Sequence, residues 1–291
     1  MRASATKYPR TLVGGLTAWL LLVWSGQAGG QVSPDPAPPE PRYRAVEIQG
    51  DGDLTALLSE LGDEGMRAVW KINRRDDRHV RRGDVLIMPE EPGAVADHSP
   101  FPVELSRAAS LPKLILVSLR VQAFAAYEHG VQALWGPVNS GSQKFRTPPT
   151  LYHVNWRTER RASSLNPSWI MHWVLNIHTG MGLALHHYAM PGYPASHGCI
   201  RLLRDDAVWL YDWAELWSAA ADGQTAAAFG TPVVVFENYD YDSPRPWMGL
   251  AEDPLADRIT EQELDEMLDR YLPAMERRSR ERQDHLASHQ E

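Results

Sequence analysis

Residues 113–141, KLILVSLRVQAFAAYEHGVQALWGPVNSG, alternate apolar and polar side chains around a turn at Glu128-His129-Gly130. A period of two sends successive side chains to opposite faces of an extended chain, so the stretch reads as a β-hairpin. The pattern returns at 168–188, SWIMHWVLNIHTGMGLALHHY, as two strands around a turn at 178–182. It returns again at 230–238, GTPVVVFEN, where Pro232 sits at the strand start and its missing N–H is tolerated. Strands recurring with short turns predict a mainly β domain, a sandwich or barrel of mostly antiparallel sheet. One helix interrupts it at 205–220, DDAVWLYDWAELWSAA, with Val208, Tyr211, Leu216 and several tryptophans for its buried face.

Upstream, residues 44–90 form a smaller unit. A short strand at 45–49 leads to a Gly/Asp turn, and Leu54, Leu57, Leu58 and Leu61 then make one helical stripe. Met66, Val69, Trp70 and Asn73 suggest a second helix, and RRGDVLIMP closes the unit as a turn and strand stopped by Pro89. Downstream, Thr260 and Glu263 form a capping box ahead of the apolar stripe Leu264, Met267, Leu268, Tyr271, Leu272 and Met275, an amphipathic helix expected to pack on the parent domain.

The remaining segments carry no core of their own. Residues 1–28 have Arg2, Lys7 and Arg10, the apolar run TLVGGLTAWLLLVW and the small-residue patch SGQAGG, which is the layout of a secretory signal cut after Ala28. A retained anchor helix is the alternative, although the run is short for a membrane span. QVSPDPAPPEPR, 31–42, holds five prolines in twelve residues and reads as an extended linker (29–43). Residues 91–110 read as a second linker. The expected domains are therefore 44–90, 111–237, and a helical extension over 238–291. The net charge of −8 argues against a nucleic-acid partner, which calls for a basic face. Removal of the signal would make the chain more acidic still.

Cys199 is the only cysteine among the 291 residues. In an exported protein cysteines tend to pair, so a lone thiol is either an inert buried group or a reactive one. Its surroundings, GLALHHYAMPGYPASHGCIRLL at 182–203, favour the second. A thiol attacks as thiolate and needs a nearby base. His186 ends a predicted strand, and the Pro/Gly-rich loop that follows can bring it back to Cys199. Backbone N–H groups around Gly198 and Cys199 could line an oxyanion hole, and Gly198 permits close approach of a substrate carbonyl. A zinc site from His186, His187, His197 and Cys199 conflicts with the opposite directions of adjacent strand residues 186 and 187. No metal or other cofactor is expected.

SHGCIRL (196–202), with ALH (184–186) and PGYPA (191–195) ahead of it, resembles the active-site segment of the L,D-transpeptidase family, whose catalytic domain is of the YkuD type. The resemblance covers about residues 111–237 and includes VNSG (138–141), RTPP (146–149) and GTPVVVF (230–236) in the family's order. It implies a β-sandwich catalytic domain that acts on peptidoglycan stem peptides. Cys199 would attack the third stem residue, expel the terminal D-alanine and form a thioester that a second stem's amine resolves as a 3→3 cross-link. His186 would be the base, with His187 as the alternative. His197, Gly198 and the Cys199 amide would shape the oxyanion site, while Ser196 and Arg201 would hold the loop and the substrate carboxylate. Two positions depart from the family pattern: His187 replaces a small residue, and the TPTG turn reads Thr147-Pro148-Pro149-Thr150. The same nucleophile and base would serve a carboxypeptidase or endopeptidase, and a non-catalytic wall-binding protein is the third reading. Residues 44–90 resemble a LysM module through GDGDL (50–54), KIN (71–73) and GDVLIMP (83–89), which implies glycan strands as a further partner, with RRDDRH (74–79) as a charged insert. The implied protein is exported to the periplasm or cell wall and monomeric, without stable membrane insertion.

Overall fold

The computed structural model describes residues 41–91, 94–220, 222 and 225–289. The expected signal and most of the proline-rich linker lie outside them. Residues 40–291 form one compact unit.

The chain begins with β1 (Tyr43–Glu47), α1 (Asp51–Ile72) and β2 (Val85–Pro89). β1 and β2 pair antiparallel, from Tyr43 opposite Pro89 to Glu47 opposite Val85. α1 is broken at Gly62, whose φ of 65° belongs to the left-handed region, so the two helical stripes of the sequence are two helices meeting at a kink. Leu57, Met66 and Val69 are buried, whereas Leu58 is 45% exposed, so the first stripe is narrower than its spacing suggests. Asn73 joins the helix end to β2: its amide donates to the carbonyls of Val69 (2.8 Å) and Ile87 (2.7 Å), and its Oδ1 accepts from Ile87 N–H.

The main body contains β3 (Lys113–Ser118), β4 (Ala123–Glu128), β5 (Val131–Asn139), β6 (Thr150–His153), β7 (Arg157–Ala162), β8 (Ile170–His178), β9 (Leu183–His187) and β10 (Ile200–Leu202). Then come α2 (Arg204–Trp213), the short pair β11 (Ser218–Ala219) and β12 (Ala226–Ala228), β13 (Pro232–Phe236) and α3 (Glu261–Ala287). Nine strands form one mixed sheet in the order β6-β13-β3-β4-β5-β10-β9-β8-β7. The pairings β13–β3 and β10–β9 are parallel and the other six are antiparallel, in keeping with the mostly antiparallel expectation. The sheet curls so that its two halves share one core: Ile115 and Val117 from β3 meet Leu175, Ile177, Leu185 and Leu202 from the other half. This is the mainly β, sandwich-like domain with few helices that the periodicity predicts.

β3 is buried on both faces, which accounts for its unbroken LILV run. Its second face, Leu114 and Leu116, packs with Leu264, Leu268 and Met275 of α3. Phe101, Leu105 and Ala108, from the stretch read as a linker, are buried in the same cluster. α2 stops at Trp213 rather than near residue 220, because Ser218 and Ala219 pair with β12 instead.

The charged insert 74–79 turns inward. Arg74 is fully buried, pairs with Asp257 at 2.6 Å and donates to the Val121 carbonyl. Lys71 pairs with buried Asp206 at 2.7 Å. Asp76 receives the Met190 N–H at Oδ2 and donates its own N–H to the Met190 carbonyl, so the insert grips the loop between His186 and Cys199.

Candidate active site

β9 and β10 lie side by side in parallel, with Arg201 opposite His186 and Ile200 opposite Leu185. Cys199 immediately precedes β10. The pairing therefore brings Cys199 and His186 to the wall of one cleft of about 320 Å³, which Arg201, Ser196, His197 and Trp169 also line.

The loop before Cys199 is held from several sides. The N–H groups of Ala195 and Ser196 donate to the Ser140 carbonyl, and Ser142 N–H donates to that of Ser196. Thr147 Oγ1 donates to the Gly198 carbonyl at 2.7 Å and accepts from Gly141 N–H at 2.9 Å. Gly141 has no room for a side chain, since a Cβ there would lie 2.0 Å from the Phe145 carbonyl oxygen. The VNSG and RTPP segments thus serve as braces of the turn before Cys199, a role that their sequence order alone does not reveal. Ser196 completes the brace: its hydroxyl accepts from Gly198 N–H at 3.0 Å and donates to the Cys199 carbonyl at 2.5 Å. The Gly198 N–H is therefore engaged within the turn. What Gly198 supplies is a backbone at φ 107°.

His186 is only 4% exposed, and its Nδ1 lies 3.1 Å from the carbonyl oxygen of His187. A carbonyl only accepts, so Nδ1 carries the proton and Nε2 is left as a bare acceptor. Burial pushes the imidazole down to about 4, against the opposing effect of the His187 hydrogen bond. Burial pushes the Cys199 thiol up, against the Ala184 backbone and the Arg201 charge. At neutral pH the pair is a thiol beside a neutral imidazole. Cys199 Sγ donates weakly to the Gly182 carbonyl at 3.5 Å.

β8 explains why the wall of this cleft is clear of bulk. His172 pairs with His187 and Leu175 with Leu185, so Trp173 and Val174 together oppose the single residue His186. This bulge holds Trp173 at φ 47° and turns it out of the cleft, leaving Val174 as a lining residue. His187 faces away from Cys199 and lines a separate hollow. His178 receives Met181 N–H at 3.1 Å in the β8–β9 turn, outside the cleft lining. Arg201 donates to the Ala189 carbonyl and stacks on Tyr188 at 4.9 Å. The His197 ring lies 4.4 Å from Phe145 and 4.9 Å from Trp169, an aromatic rim to which no sequence motif points.

Residues 112–235 match the family model of YkuD, the L,D-transpeptidase catalytic domain. A comparison with curated proteins gives no match. Among solved structures, the chain is similar to an L,D-transpeptidase from Stackebrandtia nassauensis at 24% identity and a TM-score of 0.36, over 44% of this chain and 57% of that one. It is similar to one from Mycobacterium smegmatis at 19% identity and a TM-score of 0.34, over 44% and 59%. It is similar to one from Xylanimonas cellulosilytica at 24% identity and a TM-score of 0.43, over 68% and 100%. The chain thus spans less than two thirds of the first two. Among the described residues no helix is long and apolar enough to cross a membrane.

Proposed function

We propose that the protein is a peptidoglycan L,D-transpeptidase acting through a Cys199 thioester. The observation that carries the reading is the shared cleft of Cys199 and His186, with His186 Nδ1 committed to a carbonyl and Nε2 left to take a proton. His186 accepts the thiol proton as Sγ adds to the carbonyl carbon of the third stem residue. It then returns that proton to the departing amine of D-alanine, leaving the thioester. The amine of a second stem adds to the thioester carbonyl and gives its proton to His186, and the thiolate leaves and recovers that proton. The product is a 3→3 amide bond.

The Cys199 N–H is the backbone donor assigned to the oxyanion, because the Gly198 N–H is engaged by Ser196. Arg201, with one donor on Ala189 and its head in the cleft, is assigned to the stem carboxylate. In the same reading, residues 44–90 are a LysM-like module whose ligand is the glycan strand. The first 28 residues are an export signal, and the mature protein works as a monomer in the periplasm or cell wall without a metal.

The test is intact-mass spectrometry of wild type and Cys199→Ala with a tetrapeptide-stem muropeptide. Wild type is expected to release D-alanine and form a cross-linked dimer, and the variant neither. D-alanine release without a dimer would reassign the protein as a carboxypeptidase. Turnover by Cys199→Ala would remove the thioester mechanism altogether.

A further inference from the structure

On the face of β9 opposite the thiol lies a hollow of about 670 Å³, larger than the catalytic cleft. One wall comes from α1 and the charged insert, through Trp70 and His79. The other comes from the catalytic sheet and α2, through His172, His187 and Arg204. At Arg204 and Asp205 it adjoins a second hollow of about 670 Å³, whose floor is Trp173, Trp209 and Trp213. At Tyr188 it adjoins the catalytic cleft. The three hollows make one track that leads from the tryptophans to Cys199.

We infer that this track binds an uncharged polysaccharide, the glycan strand of the wall polymer, and so holds the strand whose stem peptide enters the catalytic cleft. The inference rests on the peptidoglycan reading above and adds to it a substrate-binding surface outside the cleft.

Two observations carry it. First, the tryptophans are presented rather than hidden. Trp173, Trp209 and Trp213 each pack on the core and stay part-exposed, and Trp209 stacks on Trp213 at 5.1 Å and 23°. Arg204 lies 4.9 Å over the Trp173 ring and Lys113 4.9 Å over that of Trp213, so Trp209 is the ring the experiment tests. The β8 bulge places Trp173 on this face, at a left-handed φ that a bulky residue rarely adopts. A ring face is electron-rich, and the polarised C–H face of a pyranose packs on it by the same quadrupole attraction that draws cations.

Second, charge in the first hollow cancels. Arg67, Lys71, Arg78 and Arg204 stand against Asp76, Asp77, Asp205 and Asp206. A polyanion or a polycation would meet repulsion at half of these groups, whereas hydroxyl and acetamido groups can bond with both kinds.

The experiment is calorimetric titration of the full chain with a peptide-free β-1,4-linked N-acetylglucosamine hexamer. The protein carries Cys199→Ala, so the readout is independent of turnover. Trp209→Ala is expected to lower affinity roughly tenfold, and Trp209→Tyr to restore most of it. Unchanged affinity in a folded Trp209→Ala, shown by an unaltered melting temperature, would overturn the track. So would binding abolished by 0.5 M salt, since the ligand site would then be ionic. No hexamer binding by the parent would also overturn it, while D-alanine release would still report separately on the catalytic reading.

Discussion

Ser196 ties the two ends of the turn at Cys199 with a single hydroxyl, accepting from Gly198 and donating to Cys199. Ser196→Ala leaves a buried N–H and a carbonyl without partners, at about 1–3 kcal/mol. A looser turn misplaces the thiol, so turnover should fall by roughly one to two orders of magnitude, chiefly in kcat. A variant with wild-type kcat would show that Ser196 does not position Cys199. His186 carries its own signature. Its imidazole is neutral above about 4 and is then available as base, so kcat/KM should lose activity only as pH falls toward 4. An acid limb near the ordinary imidazole value would contradict the buried, Nδ1-protonated state. Cys199 should also react with iodoacetamide at pH 7 more slowly than an ordinary exposed thiol, since burial keeps it protonated. That Cys199 and His186 share one cleft was legible because SHGC and ALH are local patterns around a strand end and a return loop. The fate of the Gly198 N–H was not, since a spacing does not say which of several donors a neighbouring hydroxyl will claim.

Among the elements, α3 and β8 mark opposite ends of legibility. The α3 cap is local: Thr260 Oγ1 accepts from Glu263 N–H, and Glu263 reaches back to Thr260 N–H at 2.7 Å. Removing it by Thr260→Ala should cost about 1 kcal/mol, read as a lower melting temperature with unchanged kinetics. An unchanged melting temperature would mean that α3 is held by its apolar face alone. The β8 bulge is not local. It arises where three residues of β8 span two of β9, and no periodicity within IMHWVLNIH announces it. Holding Trp173 at φ 47° costs roughly 1–3 kcal/mol, and the return is a cleft wall of Val174 beside His186. α2 ran shorter than its apolar spacing because β12 captured Ser218 and Ala219, a tertiary event that a helical pattern cannot register.

At the scale of the molecule, the end of α1 and the segment after it are fastened to α2 and to the stretch before α3 through buried ions. Arg74 to Asp257 and Lys71 to Asp206 are the clearest. The insert RRDDRH, which the sequence presents as a departure from a module, supplies Arg74. A run of charges reads as a solvated face until a partner 183 residues away is known. Asp257→Ala would leave the Arg74 guanidinium buried without its counter-charge, and should destabilise by about 3–5 kcal/mol. The body also buries imidazoles. His153 is pushed down to about 3 and His186 to about 4, by burial first in each case, and His98 and His187 are lowered by the same cause. These groups are neutral when folded, while an unfolded histidine takes a proton near 6.5. The unfolded chain therefore binds more protons as pH falls below 6.5, and stability drops through that window until the folded values are reached. His153 and His186 alone contribute on the order of 5 and 3 kcal/mol, comparable with the whole stability of a domain. Asp206, raised by burial, has the opposite sign, but it is a single group against four. Urea midpoints should hold steady from pH 8 to 7 and then fall steeply toward pH 4.5. His153→Gln should flatten part of that slope, because a glutamine has no proton to gain. A midpoint that stays constant down to pH 4.5 would show that these histidines are protonated inside the fold, and the neutral-imidazole account of His186 would fall with it.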